Sequence, residues 1–256
     1  MKPFFAFLKK ERMEQVRSGR LTVLIIVFAL FGIMNPAIAK LTPWMLQTLS
    51  GTLAENGITI GVVEVNALTS WTQFYKNIPM ALIIFVLMLS GAFTAEYQKE
   101  TLVLVLTKGL GRIKVLAAKA LTMLALWTLC YFLCYFVTFF YTGFLWDNGT
   151  LRHLFYAAFL YYVYGVWVLS LMVLFSALLS SNTGVLLGTG GIALAVYLLG
   201  LIPALGEYSP MYLTDSLPLL TSALQASAMV KAIAVTVGLI LVNGALAAAA
   251  FRRRHI

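Results

Sequence analysis

The chain has 256 residues, 61% of them hydrophobic and 11% charged, and a formal net charge of +9. A soluble domain is closer to about half apolar and about a quarter charged, so this chain cannot cover its surface with polar groups and its solvent is lipid. The excess of basic residues is then read as retention of loops on the cytoplasmic side of a membrane, not as a nucleic-acid surface.

Spanning segments must be helices or a closed barrel, because lipid offers no partner to backbone N–H and C=O groups. The apolar runs are continuous and not alternating, which argues against the barrel. In chain order, residues 1–20 come first. Phe4, Phe5, Phe7 and Leu8 precede Lys9, Lys10, Arg12, Arg17 and Arg20. This pattern predicts an amphipathic helix lying on the inner leaflet with its cations toward anionic headgroups. Six apolar runs follow, over residues 21–39, 78–95, 120–145, 154–179, 184–202 and 232–251. Each is near or above the ~20 residues needed to cross a bilayer core. Ala37-Ile38-Ala39 is like a signal-peptide cleavage site, but Glu11 and Glu14 precede the run. The run is also longer than the usual stretch of about 7–15 residues, so it is read as a retained first span.

Residues 40–77 are read as the longest outer loop, partly resting at the interface. Residues 203–231, broken by Pro203, Pro210 and Pro218, are read as short re-entrant or interfacial helices. Orientation follows from lysine and arginine. With the N-terminus inside, the inner segments hold fourteen, including Lys9, Lys10, Lys99, Lys108, Arg112, Lys114 and Arg252, while the outer ones hold only Lys40, Lys76, Arg152 and Lys231. That bias predicts six spans with both termini cytoplasmic.

Several chemistries lack their residues. There is no G-x-x-x-x-G-K-[ST] to cradle a nucleotide phosphate and no H-E-x-x-H, and both histidines, His153 and His255, lie at membrane edges. Cys130 and Cys134 share a helix face without further ligands nearby, so no metal site is expected. Ionisable residues deep in the spans, the usual coupling element of ion-driven carriers, are also missing, with Lys40, Glu96, Lys119 and Lys231 all at span ends.

The segment from Glu96 to Lys119 differs from its neighbours. Glu96, Lys99, Glu100, Lys108 and Arg112 surround Leu102, Val103, Leu106 and Leu110, which recur at helical spacing. Topology explains the cations but not the apolar face among them. An apolar centre with a polar rim is how a docking surface is built. In the fifth span, Gly184 and Gly188 form a small-xxx-small pattern that allows close helix approach, either to another chain or within this one. The aromatic residues of spans three and four are read as lipid-facing and interfacial belts before a substrate path. Asn35 and Asn243 are better candidates for a pathway, with helix–helix hydrogen bonding as the alternative.

This layout resembles the permease subunit of type-2 ABC exporters along essentially the whole chain. The most specific part of the likeness is Glu96-Tyr97-Gln98-Lys99-Glu100-Thr101-Leu102, then Lys108-Gly109-Leu110-Gly111-Arg112, then Lys119. Two departures are Glu100 where the family often has Gly, and a Lys-Gly-Leu-Gly-Arg turn without Pro. The resemblance implies an all-α polytopic membrane protein, a single domain over 1–256 with six transmembrane helices, an N-terminal interfacial helix and a cytoplasmic coupling helix within 96–114. It implies that Glu96, Glu100, Thr101, Leu102, Leu106, Leu110 and Arg112 dock onto a separate ATPase. This chain would not be an enzyme and would bind no cofactor, with ATP and magnesium on that partner. The resemblance further implies a second permease copy or a paralogue near Gly184 and Gly188, export of substrate through a cleft between the two permeases, and location in the cell's inner membrane. The rival readings are a non-transporting immunity or assembly module of the same architecture, and an ion-coupled carrier.

Overall fold

Where lipid offers backbone groups no partner, each long apolar run closes its hydrogen bonds internally as a helix. The computed structural model describes residues 2–55, 64–91, 94 and 111–253. Helix α1 (Lys2–Arg17) leads into α2 (Arg20–Glu55), followed by α3 (Ala67–Leu89), α4 (Arg112–Leu145), α5 (Leu154–Leu178) and α6 (Asn182–Gly200). Two single-turn helices, α7 (Pro203–Gly206) and α8 (Leu217–Leu220), precede α9 (Val230–Arg253), with 3-10 turns at Asn148–Thr150, Pro210–Thr214 and Ala226–Met229. No strand occurs among the described residues, and six helices are long and apolar enough to cross a membrane. The protein is an all-α, multi-pass membrane protein.

The segment read as a long loop over 40–77 is largely helical. Helix α2 runs on through Pro36 and Pro43 to Glu55, and α3 begins at Ala67. Proline at position 36 has no N–H for the Gly32 carbonyl. Thr138 of α4 supplies the missing donor, its Oγ1 lying 3.1 Å from that carbonyl oxygen. The start of α3 is a capping box: Asn66 Oδ1 accepts from Thr69 N at 3.1 Å, and Thr69 Oγ1 accepts from Asn66 N at 3.4 Å. The first turns of α3 then bury Trp71, Phe74, Tyr75 and Ile78, an i, i+3, i+4, i+7 stripe hidden among polar neighbours.

Helix α5 is central, packing against α9, α6 and α4, while α2 packs against α4 and α3. Between them Trp71, Phe74, Phe85, Trp127, Tyr131 and Tyr161 are buried in a chain of edge-on and tilted aromatic contacts that ends in the stacked Tyr131–Tyr161 pair. The aromatics of α4 are therefore divided. Trp127, Tyr131 and Tyr135 form core, while Phe136, Phe140 and Phe144 face outward as a belt would. Gly165 of α5 lets Trp127 approach, since any Cβ there would collide with the indole ring.

The first three turns of the proline-broken segment after α6 place Pro at the first or second residue, where the missing N–H costs nothing. Leu213, Leu219, Leu220 and Met229 are buried, and the segment closes one end of the bundle over α5 and α9. The opposite end is basic. Arg112 opens α4 there and donates from Nη1 to the Arg252 carbonyl of α9 at 3.0 Å. Helix α1 packs on α4 at that same end and turns into α2 through Gly19, at φ +73°.

Candidate functional site

Three places in the bundle hold the polar groups that sequence reasoning singles out or misses. The first is the basic end. Of the residues expected to dock an ATPase, Arg112 is positioned. Glu96, Glu100, Thr101, Leu102, Leu106 and Leu110 lie outside the described residues. Arg112 is half-buried and borders a shallow cavity of about 420 Å3 with Gly111, Ile113, Lys114 and Arg252.

Beside it lies an ion pair that the sequence reading misses. Lys119 Nζ of α4 sits 3.0 Å from Glu11 Oε2 of α1, and both side chains are about 97% buried, at 2% and 3% exposure. Lys10 extends the cluster, 3.2 Å from the other Glu11 oxygen and 2.9 Å from Glu14. Burial of the pair follows from the periodicity of α1. Phe7, Glu11 and Gln15, four residues apart, share the face turned to α4, while Phe5, Lys9, Arg12 and Val16 point outward. The signal was present in the sequence as an acid four residues from Phe7 on the face that continues to Gln15. Breaking such a pair by removing one partner costs about 3–5 kcal/mol, because the other charge stays buried.

The second place is a set of interhelical hydrogen bonds. Asn35 of α2 donates from Nδ2 to Thr138 Oγ1 of α4 at 3.0 Å and accepts from Asn77 Nδ2 of α3 at 2.9 Å. Asn243 of α9 donates to Ser170 Oγ of α5 at 2.9 Å. Both asparagines join helices, and neither lines the cleft described next. Ser70 and Thr142 form a similar link between α3 and α4 at 2.7 Å.

The third place is a half-open cleft of about 450 Å3 between α3, α5 and α6. Pro79, Leu82, Ile83, Val86 and Leu87 form the α3 wall, and Leu186, Gly190, Ala193, Leu194 and Tyr197 the α6 wall. Both sets follow helical spacing, so each wall is one continuous face. Tyr161, Tyr164 and Val168 of α5 form the floor. Thr189 also borders the cleft, is 2% exposed, and its buried hydroxyl finds no hydrogen-bond partner among the described residues. A largely apolar concavity with a few polar groups, of this volume, is the usual form of a small-molecule site.

The glycines of α6 divide between two roles. Gly188, expected at a contact between two copies, packs within the chain: a Cβ there would lie 2.5 Å from the Phe175 ring of α5. Gly184 sits beneath its own N-cap, Ser181, whose Oγ accepts from Gly184 N at 3.1 Å. Gly190 and Gly191 instead face open space. Nothing in the sequence pattern separates these two pairs, since it depends on which side of α6 meets α5.

A family model described as ABC-2 family transporter protein matches residues 5–256. No curated protein matches the chain.

Proposed function

The chain belongs to the ABC-2 family of transporter proteins, and on that premise we propose that it is the permease subunit of an exporter driven by ATP hydrolysed on a separate partner. It sits in the cell's inner membrane with both termini in the cytoplasm, as one transmembrane domain over residues 1–256. The observation that carries this reading is the location of buried charge. Among the described residues the buried charged side chains are Glu11 and Lys119, and they pair at the basic end of the bundle. An ion-driven carrier would want such groups at mid-bundle on the substrate path. A permease pushed by a partner wants rigid ties at the end that is pushed.

The mechanism follows from connectivity. The proposed coupling segment, 96–114, is continuous with α3, one wall of the cleft, and runs into α4 at Arg112. Helix α6, the other wall, has no such direct connection. A push on the segment by closing ATPase subunits therefore moves α3 against α6 and changes the width of the cleft. The Glu11–Lys119 pair makes α1 follow α4, and Gly19 passes that motion to α2. A second permease copy meets the outward face of α6, where Leu187, Gly191, Ala195 and Leu198 are exposed at helical spacing. Gly188 packs on Phe175 within the chain, which is why the contact is proposed for this neighbouring face.

The test is docking. Charge reversal at Glu100 and Arg112 together with Leu102→Ala should abolish co-purification of the partner ATPase, while the helical content of the permease is unchanged. Recovery of the ATPase at the wild-type ratio would sink the reading.

A further inference from the structure

A second, smaller cavity abuts the cleft. It measures about 240 Å3 and lies beneath the turn Pro210–Thr214. Tyr197 and Met211 border both cavities, so the two adjoin at these side chains. Their linings differ in kind. The cleft is walled almost entirely by aliphatic and aromatic side chains, whereas the smaller cavity adds Ser209, Tyr212, Thr214 and Asp215 to Gly200, Leu201, Gly206 and the two shared residues. Asp215 is exposed, and no cationic side chain among the described residues lies within ion-pair distance of it. The nearby base of this segment, Lys231, is engaged with Glu207 at 3.1 Å. Asp215 lines this cavity together with Tyr197 and Tyr212, and a carboxylate and tyrosine rings in one concavity are a recognition set for a cation, by charge and by ring quadrupole.

We propose that the two cavities form one bipartite site for an amphipathic cation, its apolar body held between α3, α5 and α6 and its charge held at Asp215. The inference rests on the reading of the cleft as the substrate site and adds the substrate class. The cleft lies between two helices that the coupling segment moves unequally, and Asp215 lies at the far end from that segment. A ligand whose charge is drawn to Asp215 is therefore oriented for departure on the side away from the ATPase.

Tetraphenylphosphonium and tetraphenylborate are near-isosteric ions of opposite sign, and triphenylphosphine oxide is a neutral relative. Their binding to the permease in phosphatidylcholine nanodiscs is measured against empty discs, which account for partitioning. The expected result is saturable binding of the phosphonium alone. Asp215→Asn should weaken it about fivefold, the scale of an exposed ion pair. Gly190→Leu should remove it, because that side chain enters the cleft where a Cβ at Gly190 meets nothing within 4 Å. Both variants should keep the ATPase at wild-type ratio, since neither touches residues 96–112, so a failure of docking is read separately. If the neutral probe binds saturably and Gly190→Leu abolishes that binding while Asp215→Asn does not change it, the cleft reading stands and the cation assignment is overturned. If no probe binds saturably, bilayer lipid fills the cleft and both fall.

Discussion

Helices α5 and α6 are neighbours in sequence and in space, both are apolar spans, and they are built for opposite purposes. In α5, 61% of the most apolar stretch is buried, against 11% in α6. In lipid there is no hydrophobic force to draw one greasy helix inward, so packing decides which is central. Helix α5 offers complementary surfaces on several sides: Gly165 to Trp127, the Ala158 carbonyl to the Tyr131 hydroxyl at 2.6 Å, and Ser170 to Asn243. Helix α6 offers one such surface, Val185 and Gly188 against α5, and leaves the rest to the cleft and to whatever lies outside. A span held on one side only is free to move relative to the others, which is what a cleft wall requires.

The comparison breaks first at the glycines. Gly165→Leu drives a side chain into Trp127, where both helices are fully packed; overpacking of this kind costs about 1–3 kcal/mol or more. Folded protein should be lost or its thermal midpoint in detergent sharply lowered. Gly190→Leu, the same substitution on α6, should raise or leave the midpoint, as it adds helix propensity of about 0.8 kcal/mol in open space. Equal losses at the two sites would show that α6 is not peripheral. The next largest effect is at the basic end. Lys119→Ala should cost up to the about 3–5 kcal/mol of a broken buried pair, the loss being limited by Lys10, which stays 3.2 Å from Glu11. The double replacement Lys119→Met with Glu11→Leu should recover most of that stability while weakening ATPase stimulation, since it keeps the packing and removes the tie. A double variant as unstable as the single one would mean that the charges are not each other's principal partners. Smaller again is Gly188→Ala, which must displace the Phe175 ring of α5 and should cost about 1 kcal/mol, a loss that Phe175→Leu relieves.

Some of this was legible in the sequence and some could not be. The six spans follow from continuous apolar runs, because lipid leaves a chain few alternatives, and the lysine and arginine counts supply the proposed sidedness. The helical extension over Ala67–Ile78 was masked by Thr69, Thr72, Gln73, Lys76 and Asn77, which supply the polar face of an amphipathic helix. Its start was signalled by the Asn66–Thr69 box. The continuation of α2 through Pro36 was not legible, since the donor that rescues Gly32 is Thr138, more than a hundred residues away. The same is true of the cleft. Its walls come from three helices whose faces look alike until their neighbours are known. Asn35 was singled out for its polarity in an apolar span, but polarity alone does not separate a path from a strut, and its two hydrogen bonds make it a strut.

The smallest effect concerns pH and again contrasts the basic end with the cleft. Burial would raise the Glu14 carboxyl, but the hydrogen bond and charge of Lys10, with the charges of Lys119 and Arg20, outweigh it and hold the group below the ordinary carboxylate value. A carboxyl whose value is lowered on folding contributes stability that is present above its unfolded value and lost as pH falls through the folded one. The loss is therefore expected on the acid side, beginning near the ordinary carboxylate value and finishing below it. Its size is small. The Glu14 side chain is 43% exposed and follows Lys10 by four residues, the less favourable order for a helical pair. Exposed pairs of this spacing contribute roughly 0.3–0.5 kcal/mol, and this one should fall at or below that range. The thermal midpoint of the wild type should thus drop slightly more than that of Glu14→Gln between neutral pH and pH 4. Binding of any ligand in the cleft should show no such difference between the two proteins. A common pH response in stability would mean that the Lys10–Glu14 pair within α1 adds nothing measurable to the fold.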